Sequence, residues 1–300
     1  MCIPCSTTLD EGSMTFTLVL QHLVTGLLMG GVYSLIALGL SLICGVMKII
    51  NFAHGEMMVW GMYIAYMIFL WTGIDPFFSL VISAAALFGI GYLLQISVVN
   101  RILEFPEAMQ VTPMIGAALI FENGARLIWG PDYRSPASKL SLSSIWLFGV
   151  MIDVPRLLAF LTAILITVLV LIFLKYTDIG KSIRSAADNR LGALLVGTDV
   201  KKVYAICFGI GTACVGAAGA LLVPLMPLSP FAGPSFTMVS FIIVILGGMG
   251  SLFGAMAGGL IIGVAESIGT IFLPSTLKQI VSFSLMIIIL LFKPKGLWGK

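Results

Sequence analysis

Runs of about twenty apolar residues follow one another along almost the whole chain, and only one long polar interval, residues 175–202, breaks the series. A run of that length is what an α-helix needs to cross the ~30 Å hydrocarbon core of a bilayer. The composition agrees. The chain is 59% hydrophobic and 10% charged, against about 25% charged in a soluble domain, so it lacks the charge to cover its own surface in water. The expected fold is all-α: a polytopic membrane helix bundle of about eight to nine spans, with broken helices and possible inverted repeats.

In order, residues 1–15 read as a polar N-terminal tail and residues 16–300 as the transmembrane domain. Cys2 and Cys5 form a C-x-x-C in the tail with no partner ligands nearby, which favours a poorly ordered tail over a metal or redox site. No cleavable signal peptide is expected, because the tail has no basic n-region and the first apolar run is too long. Spans are expected at 16–44, from 52 to the turn Gly73-Ile74-Asp75-Pro76, at 77–99, 112–129, 155–174, 203–223, 252–272 and 277–292. Pro155 suits a helix start. Residues 130–154 form a second long loop, and its apolar stretch Ile145 to Ile152 predicts packed or hairpin structure. Residues 235–246 are apolar but too short to cross at 1.5 Å per residue. They form either the first half of a bent helix or a separate ninth crossing.

Charge sets the orientation. With nine crossings and the 175–202 interval inside, Lys48, Arg101, Lys175, Lys181, Arg184, Arg190, Lys201, Lys202, Lys293, Lys295 and Lys300 all fall inside, eleven of the sixteen basic residues. The positive-inside rule then puts the N-terminus outside, the C-terminus in the cytoplasm, and the polar interval where a soluble partner can reach it.

Two places interrupt apolar sequence with small or polar residues before a helix restarts. One is Asn51-Phe52-Ala53-His54-Gly55-Glu56. The other is the glycine cluster Gly247, Gly248 and Gly250. Broken helices at matching places in two halves mark solute sites in repeat-built transporters. Asn51 can cap a helix and Glu56 suits its first turn. Free N–H groups there attract a carboxylate, Asn51 and His54 add hydrogen-bonding groups, and Gly55 admits a close backbone or a solute. The bland alternative, a helix start at the membrane interface, weighs about equally. Glu122 and Arg126, four apart with the acid first, predict an ion pair. Glu266 lies in an apolar helix, where a carboxylate at mid-depth costs about 2.5–3.5 kcal/mol; a structural role is expected for all three. Catalytic residues and metal ligands are not expected: H-E-x-x-H, G-x-S-x-G and paired intramembrane aspartates are missing, and so is the G-x-x-x-x-G-K-[ST] loop that cradles ATP phosphates. A membrane scaffold with a protruding polar segment and no nucleotide pocket fits the membrane half of an ATP-driven importer.

Three stretches carry a family resemblance: GGVYSLIALGLSLICGVMKIINFAHGEMMVWGMYIA (30–65), IRSAADNRLGALLVGTDVKKVYAICFGIGTACVGAAGALL (183–222) and ILGGMGSLFGAMAGGLIIG (245–263). Together they resemble the branched-chain amino acid ABC transporter permeases of the LivH/LivM family over essentially the whole chain beyond residue 15. The resemblance implies a second permease subunit, two cytoplasmic ATP-binding subunits carrying ATP and Mg, and an extracytoplasmic solute-binding protein. No cofactor is then bound by this chain, and no nucleic acid is involved. Arg184, Ala187, Asp188, Ala193, Leu195 and Gly197 match the family's ATPase-docking segment, read as a small helix that Gly197 ends. Asn51, His54, Gly55 and Glu56 match its N-F-A-H-G-E run, and with Gly247, Gly248 and Gly250 they are the expected solute pathway or gate. The implied function is uptake of branched-chain or other hydrophobic amino acids across a bacterial inner membrane. Urea or a short-chain amide within the same family, and a stand-alone ion-coupled transporter or channel, remain the alternatives.

Overall fold

The computed structural model describes residues 11–136, 143–147 and 150–299. Cys2, Cys5, Lys139 and Lys300 lie outside them. The protein is a helix bundle. Helix α1 spans Glu11–Met47 and α2 spans His54–Thr72. The third, Pro76–Ile102, opens with a 3₁₀ turn and passes through a π-helical turn at Gln95–Val99. Helix α4 covers Glu107–Trp129. A two-stranded antiparallel hairpin follows, β1 Ser144–Leu147 with β2 Val150–Asp153, where the sequence predicts one. Then come α5 Val154–Tyr176, α6 Asp178–Asp188, α7 Arg190–Leu195, α8 Val200–Leu222, α9 Gly233–Gly247, α10 Leu252–Phe272 and α11 Lys278–Phe292.

Most expected spans appear as helices within a few residues of their predicted ends. Five of them are long and apolar enough to cross a membrane alone: α1, α3, α5, α8 and α10. Three boundaries move. Glu11 to Thr15 is helical and belongs to α1, so the helix reaches into the segment expected to be tail. The third helix runs on through Asn100 and Arg101, which read as a polar link. Helices α9 and α10 are separate and fold back on each other at Gly248–Ser251, which excludes one bent helix. With 15 residues, α9 is about 22 Å long, short of a full crossing.

The core is α1. Lipid tails are as apolar as leucine, so helices in a bilayer associate through close packing and hydrogen bonds rather than through exclusion of water. Glycines let that happen. The Gly26–Gly30 face of α1 lies against Leu260 and Gly263 of α10, Gly39 against Gly211 of α8, and Gly45 against Gly250. Gly61 of α2 crosses Gly216 of α8, and Ser83 Oγ lies 2.9 Å from both of their carbonyl oxygens. A Cβ at Gly263 would sit 2.5 Å from the Gly26 carbonyl oxygen, whereas one at Gly89 would meet nothing within 4 Å. Overpacking typically costs about 1–3 kcal/mol. Gly263→Leu is therefore expected to lower the thermal stability of the purified protein in detergent by several degrees, while Gly89→Leu leaves it within a degree of wild type, as read by a thermal-shift or aggregation assay.

Candidate functional site

The two interruptions differ in kind. After α1 ends at Met47, residues Lys48–Ala53 turn back, and His54 donates from Nε2 to the carbonyl of Ile36 at 2.9 Å, eleven residues before the end of α1. Helix α2 thus starts beside the middle of α1, within the bundle. Lys48 makes the turn with φ +55°, an uncommon conformation for a residue with a side chain. The Gly248–Ser251 turn, by contrast, lies at the end of the bundle, against Gly45 near the end of α1. Gly55 and Glu56 lie at the start of α9 and Gly247, Gly248 and Gly250 at its end. The chain just before Asn51 bridges part of that distance, because Ile49 and Ile50 line a cavity of about 350 Å³ together with Gly45 and Met249.

Each group has its own environment. Asn51 is fully buried and does not cap α2 as expected: Ala53 occupies the cap position, no side chain caps the helix, and Asn51 Oδ1 instead accepts from the Ala53 N–H at 3.0 Å in a turn before it. Gly55 packs against the start of α9, where its N–H donates to Thr237 Oγ1 at 2.9 Å and Thr237 donates on to the Phe52 carbonyl at 3.4 Å. A backbone, not an open path, occupies the space beside Gly55, because a Cβ there would strike the Gly233 carbonyl oxygen. Glu56 is buried with its carboxylate against Gly233, beside the first turns of both α9 and α2. Among the described residues His54 Nδ1 and Glu56 Oε2 have no hydrogen-bond partner.

The glycine cluster is a packed junction. Gly248 (φ +96°) and Gly250 (φ +82°) take backbone conformations that favour glycine. The C-terminal segment closes over the turn: Leu297 N–H donates to the Leu246 carbonyl at 2.8 Å and Trp298 N–H to that of Gly247 at 3.2 Å. Gly247 lies against Gly254 of α10, and Gly248 against Gly299.

The polar interval folds as two helices rather than one. Thr177 caps α6, accepting from Gly180 N–H at 3.0 Å. Asn189 breaks the chain in an extended conformation and caps α7 through Gly192 N–H at 2.9 Å. Gly197, at φ +84°, ends α7 as expected. Arg184 donates to the Leu174 carbonyl at the end of α5 and so ties the segment to the bundle. Ala187 and Asp188 line a cleft of about 340 Å³ with Ser41, Gly45 and Gly250. Ala193 is buried, and Leu195 is 88% exposed. Leu191, Leu194 and Val196, which the sequence reading left out of the set, are also exposed. The available signal was four aliphatic residues inside a charged interval.

A third polar cluster was only half visible. Glu266, expected as a lone structural acid, accepts from Tyr33 Oη at 3.0 Å and from Ser282 Oγ at 2.6 Å, with Lys278 Nζ 3.5 Å away. The expected Glu122–Arg126 ion pair forms, and Arg126 also lies over the Phe231 ring at 4.5 Å.

A bundle of apolar helices with one polar connection buried inside it and one polar segment protruding is the architecture of a multi-pass membrane permease. The chain belongs to the family described as branched-chain amino acid transport system / permease component, whose model matches residues 22–290. It is 31% identical to the high-affinity branched-chain amino acid transport system permease protein LivH of Salmonella typhimurium, over 96% of this chain and 98% of that protein. The corresponding figures are 30%, 96% and 98% for LivH of Escherichia coli strain K12, and 30%, 94% and 96% for BraD of Pseudomonas aeruginosa. No solved structure matches.

Thr237 tests how the mid-bundle site is held. Thr237→Val keeps the shape but strands the buried Gly55 N–H, at a cost of about 1–3 kcal/mol. It should unfold at clearly lower denaturant or temperature than wild type, and Thr237→Ser, which keeps the hydroxyl, should stay close to wild type in the same measurement.

Proposed function

We propose that the chain is the membrane permease subunit of an ATP-binding-cassette importer in a bacterial inner membrane, moving branched-chain or other hydrophobic amino acids by alternating access. It works with a second permease subunit, two cytoplasmic ATP-binding subunits and an extracytoplasmic solute-binding protein. The N-terminus is outside and the C-terminus cytoplasmic.

The observation that carries this reading is the α6–α7 segment. Leu191, Leu194, Leu195 and Val196 are exposed together on an interval too charged to face lipid: Lys181 pairs with Asp178, and Asp188 and Arg190 are open. An aliphatic patch rimmed by charge marks a protein–protein contact. Behind it, α6 packs on the end of α1 and shares a cleft with the Gly248–Ser251 turn. A partner's movement at α7 therefore reaches the central helix through two rigid elements, and the spans around the Asn51–Glu56 segment and the glycine turn rock in response. Family membership supports the amino-acid cargo, and the relatives' names support a multi-subunit system.

Leu195→Glu alters α7 and Gly197→Trp the turn that ends it, and neither substitutes a residue of a membrane helix. Both should keep normal membrane abundance and cut the ATP-binding subunits that co-purify by at least about thirtyfold, the size of a 2 kcal/mol interface hot spot. Undiminished co-purification would remove α7 from the docking role. For orientation, a membrane-impermeant amine reagent should label Lys181 in inside-out vesicles and not in intact cells.

A further inference from the structure

Beside Tyr33 of α1, a cleft of about 270 Å³ opens between the starts of α9 and α11. Its polar wall holds Lys278, Gln279, Ser235 and the Tyr33 hydroxyl, and its apolar wall holds Phe236 and Val239. Among the described side chains that line it, Lys278 is the one with a charge, and none is acidic.

The lysine is more than a counter-ion for Glu266. That carboxylate already has a hydroxyl donor on each oxygen, Tyr33 on Oε2 and Ser282 on Oε1. The ammonium stands farther off, 3.5 Å from Glu266 Oε2 and 3.3 Å from Tyr33 Oη. An ammonium carries three N–H donors, so capacity is left over. The lysine side chain is 41% exposed and the glutamate 5%. Lys278 lines this cleft, which Glu266 does not, and also a neighbouring one of about 290 Å³ that it shares with Glu266 and Arg156. The cost of an acid and a base this deep is met by the network, and what the cleft presents is a positive charge beside an apolar wall.

We propose that this cleft is the permease's own reception site for an amino-acid zwitterion. Lys278 takes the α-carboxylate, the oxygens of Ser235 and Gln279 take the ammonium, and the aliphatic side chain lies on Phe236 and Val239. The assignment rests on the amino-acid reading above and sharpens it, because urea or a simple amide has no carboxylate for the lysine.

The test is initial uptake of radiolabelled leucine by cells that lack their own leucine importers and carry the full transporter. Lys278→Gln should lower uptake at least tenfold at unchanged membrane abundance, while Lys278→Arg keeps a third or more. The neutral pair Lys278→Gln with Glu266→Gln should stay at least tenfold down. Recovery in that pair would show that the lysine only neutralises Glu266, and would overturn the site. Ser235→Trp fills the cleft and leaves every residue of the ionic network unsubstituted, so it also covers the case in which the lysine variants fail to accumulate. It should lower uptake tenfold, and wild-type uptake would overturn the site. A wild-type transporter that moves urea and no leucine would instead overturn the amino-acid reading, and the site with it.

Discussion

Helix α1 can be buried on nearly every side only because the helices around it approach to backbone contact. Over its apolar window α1 is 89% buried, although it lies close to the N-terminus of the chain. Its glycines meet glycines: Gly30 and Gly263, Gly39 and Gly211, Gly45 and Gly250. In a lipid solvent this closeness replaces the hydrophobic drive of a water-soluble core, since dispersion and backbone contacts are what separate a packed helix from a lipid-facing one. The outer helices show the contrast. Windows of α3 and α5 are only 22% buried, and their exposed leucines, isoleucines and valines suit a lipid boundary.

Because α1 is the common neighbour, the polar features of the molecule are all registered against it. The carbonyl of Ile36, at its middle, fixes His54 and with it the start of α2. Near its far end Gly45 receives the α9–α10 turn, and Ser41 and Gly45 share a cleft with Ala187 and Asp188 of α6. Within one turn of Ile36, Tyr33 holds Glu266. The mid-bundle segment and the ionic network are thus attached at nearly the same level of one rod, and the protruding segment near its end.

The buried polar groups divide by how they are satisfied. Glu266 has hydroxyl donors on both oxygens and a lysine nearby, as a buried acid in an apolar helix requires. Glu56 has no such network among the described residues: its Oε2 is without a partner, and Gly233 is pressed against the carboxylate. A glycine at 233 and a glycine at 55 are therefore a matched pair: each leaves out a side chain so that α2 and α9 can begin at the same place.

Much of this was present in the residues alone. Apolar run length determines where helices form, because a bilayer leaves no other partner for the backbone. Thus α5, α8 and α10 lie within a few residues of where the pattern puts them. Capping chemistry is equally local, so Pro155 at the start of α5 and Gly197 at the end of α7 could be read directly. The α6–α7 break at Asn189 could not. Asn189 is permitted inside a helix as well as at its cap, and the choice depends on α6 packing against α1. Nor could the sequence show that Ile50 and Met249 share a cavity, that the C-terminal strand of backbone closes the glycine turn, or that Lys278 reaches Glu266. Those pairings join residues distant in the chain, and in an apolar sequence many alternative contacts satisfy the same composition. Only the three-dimensional fit of glycine to glycine selects among them.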